Sequence, residues 1–177
     1  NGSDCLTPKG FSYARIQLAK EVFIDVYNVH ATAQDDPDAA IARQKNLNQL
    51  KNYIQKHSAG QPLLIMGDFN AHYTYVLDNI VSFQDELALV DAWVNLKNKG
   101  KIPAHEQDFA ARAALDLTDD CEGIDKIYYR NNEHIEFEAK NYQVLKKLFQ
   151  NKAGQDLSDH CAVSLQLGWR LTTSSFQ

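Results

Sequence analysis

No apolar run in this sequence approaches the roughly 20 residues that a bilayer-spanning helix needs, so no membrane span is expected. Its start shows no signal-peptide pattern. Positive charge is not in excess: 18 Lys and Arg stand against 23 Asp and Glu, a net charge of −5. Tight binders of duplex nucleic acid carry a basic face, because phosphate contacts supply most of their affinity. A nuclease remains compatible with an acidic balance, since a bound divalent cation brings local positive charge. Cysteine is scarce. Cys5, Cys121 and Cys161 include no C-x-x-C pair, which argues against zinc. Cys5 and Cys121 lie in polar, turn-rich stretches where a disulfide is expected; three free thiols are the alternative. Asn1-Gly2-Ser3 is an N-glycosylation sequon, a pointer to secretion that is weak on its own.

What is present suffices for one domain with a sizeable core: 44% of 177 residues are hydrophobic. No repeat, low-complexity tract or linker divides them. Residues 11–18 and 21–30 are rich in β-branched and aromatic types and read as a hairpin turning at Ala19-Lys20. Residues 37–58 read as a helix, with Asp35 or Asp36 as cap, Pro37 in the first turn and Gly60 beyond the end. Leu47, Leu50 and Ile54 share its apolar stripe with Arg43, which predicts first turns that overhang the core. "PLLIMGDFN" reads as a buried strand. A helix is expected over 86–96. A long polar loop follows over 97–118, with some helix at 109–115. "GIDKIYYR" and "HIEFEAKNYQVL" read as strands, the second turning helical over 144–149. "CAVSLQLGWRL" alternates as a final strand. Trp93 and Trp169 are expected to anchor the core. His57, His105 and His134 are expected on the surface, and His72 in a loop.

Four of these strands carry a polar group at one end: His30 after "VYNV", Asp68 and Asn70 in "GDFN", Asp125 before "KIYYR", and Asp159 and His160 before "CAV". A buried charge costs several kcal/mol unless it is paired or bound to a cation. The pattern makes sense if the strand ends converge on one cleft. Carboxylate and amide oxygens suit a hard cation such as Mg²⁺, which meets substrate phosphates. Histidines suit proton transfer near neutral pH. Together they fit phosphoester hydrolysis.

The ordered set "YNVH", "GDFN", "VDAW", "DKIYYR" and "SDH" resembles the endonuclease/exonuclease/phosphatase (DNase I-like) superfamily over nearly the whole chain. The resemblance implies an α/β fold, a four-layer α/β/β/α sandwich of two mixed, mainly antiparallel sheets. It also implies roles. His160 is the general base for the attacking water, and Asp125 fixes its tautomer. Asp68 orients the nucleophile or binds a metal. Asn70 holds a phosphate oxygen, His30 donates to the phosphate, and Asp159 is a metal-side ligand. The cofactor is Mg²⁺, with Mn²⁺ or Ca²⁺ as alternatives.

Two early strands of that family, one with Asn and one with the principal metal-binding Glu, have no counterpart here. Residues 1–177 therefore read as the C-terminal portion of a single domain. A companion N-terminal chain of the same precursor is expected to supply the glutamate and to bond to Cys5; the alternative is that the chain is a fragment. "LTPKGFSYARI" and "DELALVDAWVNL" look most like secreted microbial members related to neutral sphingomyelinases, whose substrate is a phospholipid headgroup. A secreted DNase I-like nuclease acting on nucleic acid is the alternative, with Tyr73, Tyr75, Tyr128, Tyr129 and Arg130 as its rim. A binding module that lost its metal site is the third reading.

Overall fold

The computed structural model describes residues 8–172. The Asn1 sequon and Cys5, with its expected disulfide and companion-chain link, lie outside them. Strands β1 (Gly10–Ala19) and β2 (Val22–His30) form the expected hairpin, paired antiparallel from Gly10↔His30 to Ala19↔Val22. The turn is Lys20-Glu21, one residue later than expected, with Glu21 in a left-handed conformation (φ 61°). The charge inside β2 has a cross-strand partner. The buried Asp25 carboxylate accepts from Arg15 Nε at 2.7 Å and from the Tyr13 hydroxyl at 3.1 Å.

Helix α1 (Pro37–His57) starts at Asp36, whose side chain accepts the Ala39 N–H at 3.0 Å. Arg43 does not project past the core as its place in the stripe suggested. It is fully buried, ion-paired with Asp78 at 2.7 Å, and it donates to the carbonyls of Thr32 and Gln34. A guanidinium has enough donors to bond three acceptors at once, so it can serve as a cross-tie where an apolar side chain would leave polar groups unmet.

Strand β3 (Leu63–Asp68) is followed by α2 (Ile80–Glu86), β4 (Val90–Asp91) and α3 (Ala92–Leu96). The single helix expected over 86–96 is thus a turn, a two-residue strand and a short helix. Ala88 (φ 53°) breaks the helical path, and Val90 and Asp91 pair with Tyr129 and Tyr128. The Asp91 carboxylate then caps α3, accepting the Trp93 and Val94 N–H groups at 2.8 and 3.0 Å. In the long loop the expected helix shrinks to a 3₁₀ turn, Ala114–Asp116. Strands β5 (Asp125–Arg130), β6 (Ile135–Leu145) and β7 (Ala162–Leu171) complete the order. β6 stays extended to Leu145, where the sequence suggested a switch to helix, because Val144 and Leu145 pair with Val163 and Ala162.

The larger sheet runs β1-β2-β3-β5-β4, with β2 and β3 parallel across α1 and the other pairs antiparallel; β6 and β7 form a second, antiparallel sheet. Neighbouring residues on a strand face opposite ways. On β5, Tyr128 lies 6.3 Å from the Phe83 ring of α2, while Tyr129 lies 6.3 Å from the Phe137 ring of β6. Helices therefore cover one face of the large sheet and the second sheet covers the other. Lys51 on α1 reaches Glu86 on α2 at 2.7 Å, which puts both helices in the same layer. Three layers of the expected sandwich, α/β/β, are present among the described residues. Trp93 is buried as expected, but Trp169 is 40% exposed, although it pairs with the buried Phe137 and shares the core-facing side of β7 with Leu165 and Leu167.

Candidate active site

One register row of the large sheet carries the site. His30 pairs with Asp68 across β2 and β3, and Asp68 pairs with Asp125 across β3 and β5. Three polar residues from three segments thus stand side by side at one end of the sheet. Gly67 makes this closeness possible. It adopts φ 129°, and a Cβ there would sit 2.2 Å from the Val29 carbonyl oxygen.

His160 arrives from the other sheet, on the residues leading into β7. Its Nδ1 lies 2.6 Å from Asp125 Oδ2, and its backbone N–H donates to Ser158 Oγ at 3.1 Å. A carboxylate only accepts, so Nδ1 carries the proton and Nε2 keeps its lone pair. Nε2 faces Asp68 Oδ2 at 3.9 Å, too far for a direct hydrogen bond and suited to a molecule held between them. Burial of this half-buried ring lowers its pKa. The hydrogen bond and charge of Asp125, with Asp68 and Asp159 adding to them, outweigh that and raise it above the usual histidine value. Burial raises the Asp68 pKa, as does the neighbouring Asp125 charge, against the opposing Asn70 N–H and the two histidines.

Asn70 adopts a left-handed conformation (φ 48°) that Asn tolerates better than most residues. Its backbone N–H donates to Asp68 Oδ1 at 2.8 Å. Its Nδ2 donates to Asp68 Oδ2 at 2.9 Å and to the Ala31 carbonyl at 3.1 Å. Both side-chain N–H groups are thereby committed. In this geometry Asn70 aims the Asp68 carboxylate, and it reaches a phosphate oxygen only if one of those bonds opens. His30 Nε2 lies 3.6 Å from Asp68 Oδ2 and accepts from Lys9 Nζ at 2.8 Å; half of the side chain is exposed.

Asp159 is not brought into the group. It is exposed, and its carboxylate meets the Ser158 hydroxyl at 3.5 Å, on a bend over residues 157–160 that turns only the half-buried His160 toward Asp125. Among the described residues no three His, Cys, Asp or Glu side chains are arranged to hold a metal. Asp68 offers one oxygen ligand of the kind Mg²⁺ takes, and the set is not completed here. Nor do the expected residues assemble as a rim: the partly exposed Tyr75 donates its hydroxyl to the Asp35 carbonyl at 2.8 Å. Tyr73, Tyr128 and Tyr129 are buried, and Arg130 donates to the carbonyls of Ser58, Gln61 and Leu87. Cys121 and Cys161 are free thiols among the described residues; Cys161 is buried beside the site.

Sequence reasoning missed Glu122. Its nearly buried carboxylate accepts the Tyr73 N–H at 2.5 Å and the Thr74 hydroxyl at 3.2 Å, and it pairs with Lys126 at 3.0 Å. It clamps the loop after Asn70 to the turn before Asp125. A lone Glu in "CEGID" gives no local signal of this. His72 is also more buried than a loop histidine suggests, and its ring lies 5.0 Å from Phe109. His57, His105 and His134 are exposed as expected.

No family model matches the chain. A sphingomyelinase from Mycobacterium tuberculosis is 35% identical over 157 residues, 89% of this chain. The chain spans 30% of that relative's length. Among solved structures, an endonuclease/exonuclease/phosphatase from Beutenbergia cavernae superposes with a TM-score of 0.61 at 14% identity, covering 96% of this chain and 42% of that one. Beta toxin from Staphylococcus aureus gives 0.55 at 14% identity, covering 94% and 60%. With two facing sheets and polar groups converging at their ends, the chain shares the DNase I-like fold of the endonuclease/exonuclease/phosphatase structures and is similar in sequence to a sphingomyelinase.

Proposed function

We propose that the chain carries the proton-handling half of a metal-dependent phosphodiesterase of sphingomyelinase, phospholipase C type. The observation that carries this reading is the His160 imidazole, oriented by Asp125 at 2.6 Å with its free Nε2 turned toward Asp68 at 3.9 Å. A water held between Nε2 and Asp68 loses a proton to Nε2 as its oxygen bonds to phosphorus. The bond from phosphorus to the leaving oxygen breaks on the opposite side. Asp125 then stabilises the imidazolium. His30, at the open end of the row, is placed to meet a phosphate oxygen.

Mg²⁺, Mn²⁺ or Ca²⁺ would neutralise phosphate charge when bound, with Asp68 as one ligand. The reading leaves the remaining ligands to residues beyond those described, in a companion segment of a secreted precursor.

Two observations favour a lipid diester over nucleic acid. The similarity in sequence is to a sphingomyelinase. In addition, Phe149 and Leu157, both at least half exposed, line an open cavity with His160 and Asp125, an apolar surface beside the reacting group. The test uses the full-length protein with Mg²⁺ and, separately, sphingomyelin, plasmid DNA and bis-p-nitrophenyl phosphate. Lipid turnover that is lost in His160→Ala, and lost with EDTA and restored by Mg²⁺, is expected. Plasmid nicking without lipid turnover would replace this reading with the nuclease one.

A further inference from the structure

Asp125 lies inside a short loop whose ends are tied together. Glu122 and Lys126, on either side of it in sequence, form a buried ion pair at 3.0 Å. Lys126 is only 4% exposed. It follows Asp125 on β5 and faces the opposite way, toward the helix layer, on the side it shares with the buried Tyr128. Alternation would place an apolar side chain there. An ammonium taken out of water is costly, and a buried ion pair often adds no stability over apolar residues of the same volume. What this pair does in the fold is close a loop of fixed shape.

The loop is fastened to a rigid post. Lys126 Nζ lies 4.3 Å over the centre of the Tyr73 ring. That ring is fully buried, and its hydroxyl meets Asp91 Oδ2 at 2.9 Å and the Tyr128 hydroxyl at 3.0 Å. Glu122 holds the same residue by its backbone, accepting the Tyr73 N–H at 2.5 Å. Nearer the site, the Phe69 N–H donates to the Ile124 carbonyl at 2.9 Å. The stretch from Asp68 to Tyr73 is therefore held against residues 122–126 at both of its ends. Asp68 stands on the first stretch and Asp125 on the second. The same ties thus set the place of Asp125 under His160 Nδ1, and with it the 3.9 Å gap between His160 Nε2 and Asp68.

We infer that Glu122 and Lys126 are positioning residues for His160: their ion pair closes the loop around Asp125 and holds its carboxylate in line with the imidazole. No hydrogen bond or ion pair joins either residue to His160 among the described residues, so both act through Asp125. Their effect on turnover rests on the phosphodiesterase reading; their effect on the His160–Asp125 bond does not.

Proton NMR of the full-length protein reads that bond directly. The His160 Nδ1–H, in a charge-assisted hydrogen bond of 2.6 Å, should resonate far downfield, and loss of the signal in His160→Gln assigns it. Glu122→Gln and Lys126→Met should both shift it upfield and broaden it. One variant removes a negative charge and the other a positive one, so a through-space charge effect would move the signal in opposite directions. The double variant leaves neither charge buried alone and keeps the net charge, and it should shift the signal the same way. Asp25→Asn removes a buried charge at the far end of the sheet and serves as the stability control; it should leave the signal in place. Thermal unfolding confirms that each variant folds. With bis-p-nitrophenyl phosphate, the single and double variants should lower kcat by about tenfold, as a displacement of a fraction of an ångström does, with KM changed by less than about twofold. An unmoved signal in the double variant, or shifts of opposite sign in the single ones, overturns the inference. Shifted signals in a protein that hydrolyses neither sphingomyelin nor bis-p-nitrophenyl phosphate would sink the phosphodiesterase reading and leave the positioning standing.

Discussion

Replacing Gly67 with alanine tests how the site is assembled. β2 and β3 run parallel, and Val29 pairs with Gly67 one position before His30 pairs with Asp68. An added Cβ would lie 2.2 Å from the Val29 carbonyl oxygen and 2.8 Å from its nitrogen, where ordinary contact begins at 3.4 Å. The neighbour is backbone and cannot swing aside, so the strands must part by about 1 Å or the β3 backbone must rotate. Overpacking of this kind costs about 1–3 kcal/mol. A non-glycine residue held at φ 129° adds about 1–3 kcal/mol of strain. A total loss of about 2–6 kcal/mol is a large part of a typical domain's 5–15 kcal/mol. Gly60 is the control. It also has positive φ, at 66°, but a Cβ there meets nothing within 4 Å. Gly60→Ala should cost only about 1 kcal/mol. Urea unfolding of the full-length variants measures both. Turnover measured under folded conditions should fall further for Gly67→Ala, because His30 and Asp68 separate. Equal midpoints for the two variants would refute the claim that close approach of β2 and β3 requires this glycine.

Asp125→Asn removes the anion that holds the His160 pKa up. A base works when deprotonated, so activity climbs as pH rises through that pKa, and the variant's acid limb should move to lower pH while kcat falls by about 100-fold or more; a pH–rate profile reads both. Burial opposes the Glu122 charge, but Lys126 and the Tyr73 N–H outweigh burial and lower its pKa. Its stabilising contribution is therefore complete above the unfolded carboxylate pKa and lost as pH falls through the lower folded one. Glu122→Gln should flatten that part of the acid-unfolding curve. Arg43→Met leaves the Asp78 carboxylate buried without its partner and should destabilise by about 3–5 kcal/mol in urea unfolding, with no direct effect on the His160 group.

Several features were legible in the chain alone because their causes are local. Asp36 and Pro37 start α1 through a cap and a fixed φ that involve only the next turn. The alternating residues of β1, β2 and β7 announce strands. Polar groups at the ends of apolar strands announced that His30, Asp68, Asp125 and His160 would meet, because leaving each alone at a buried end would be costly. Tertiary pairing decided the rest. "ELALVDAWVNL" has helical spacing, yet its Val90 and Asp91 complete the edge of β5 and split it. Arg43 looks like an exposed cation within an apolar stripe until Asp78, far along the chain, is folded against it. Asp159 and His160 are adjacent in sequence and share a motif, but a bend in the backbone leaves one exposed and turns the other toward Asp125. Local propensity and spacing act over a few residues. Which carbonyl, carboxylate or ring fills the space beyond is set by chain segments that only the folded arrangement brings together.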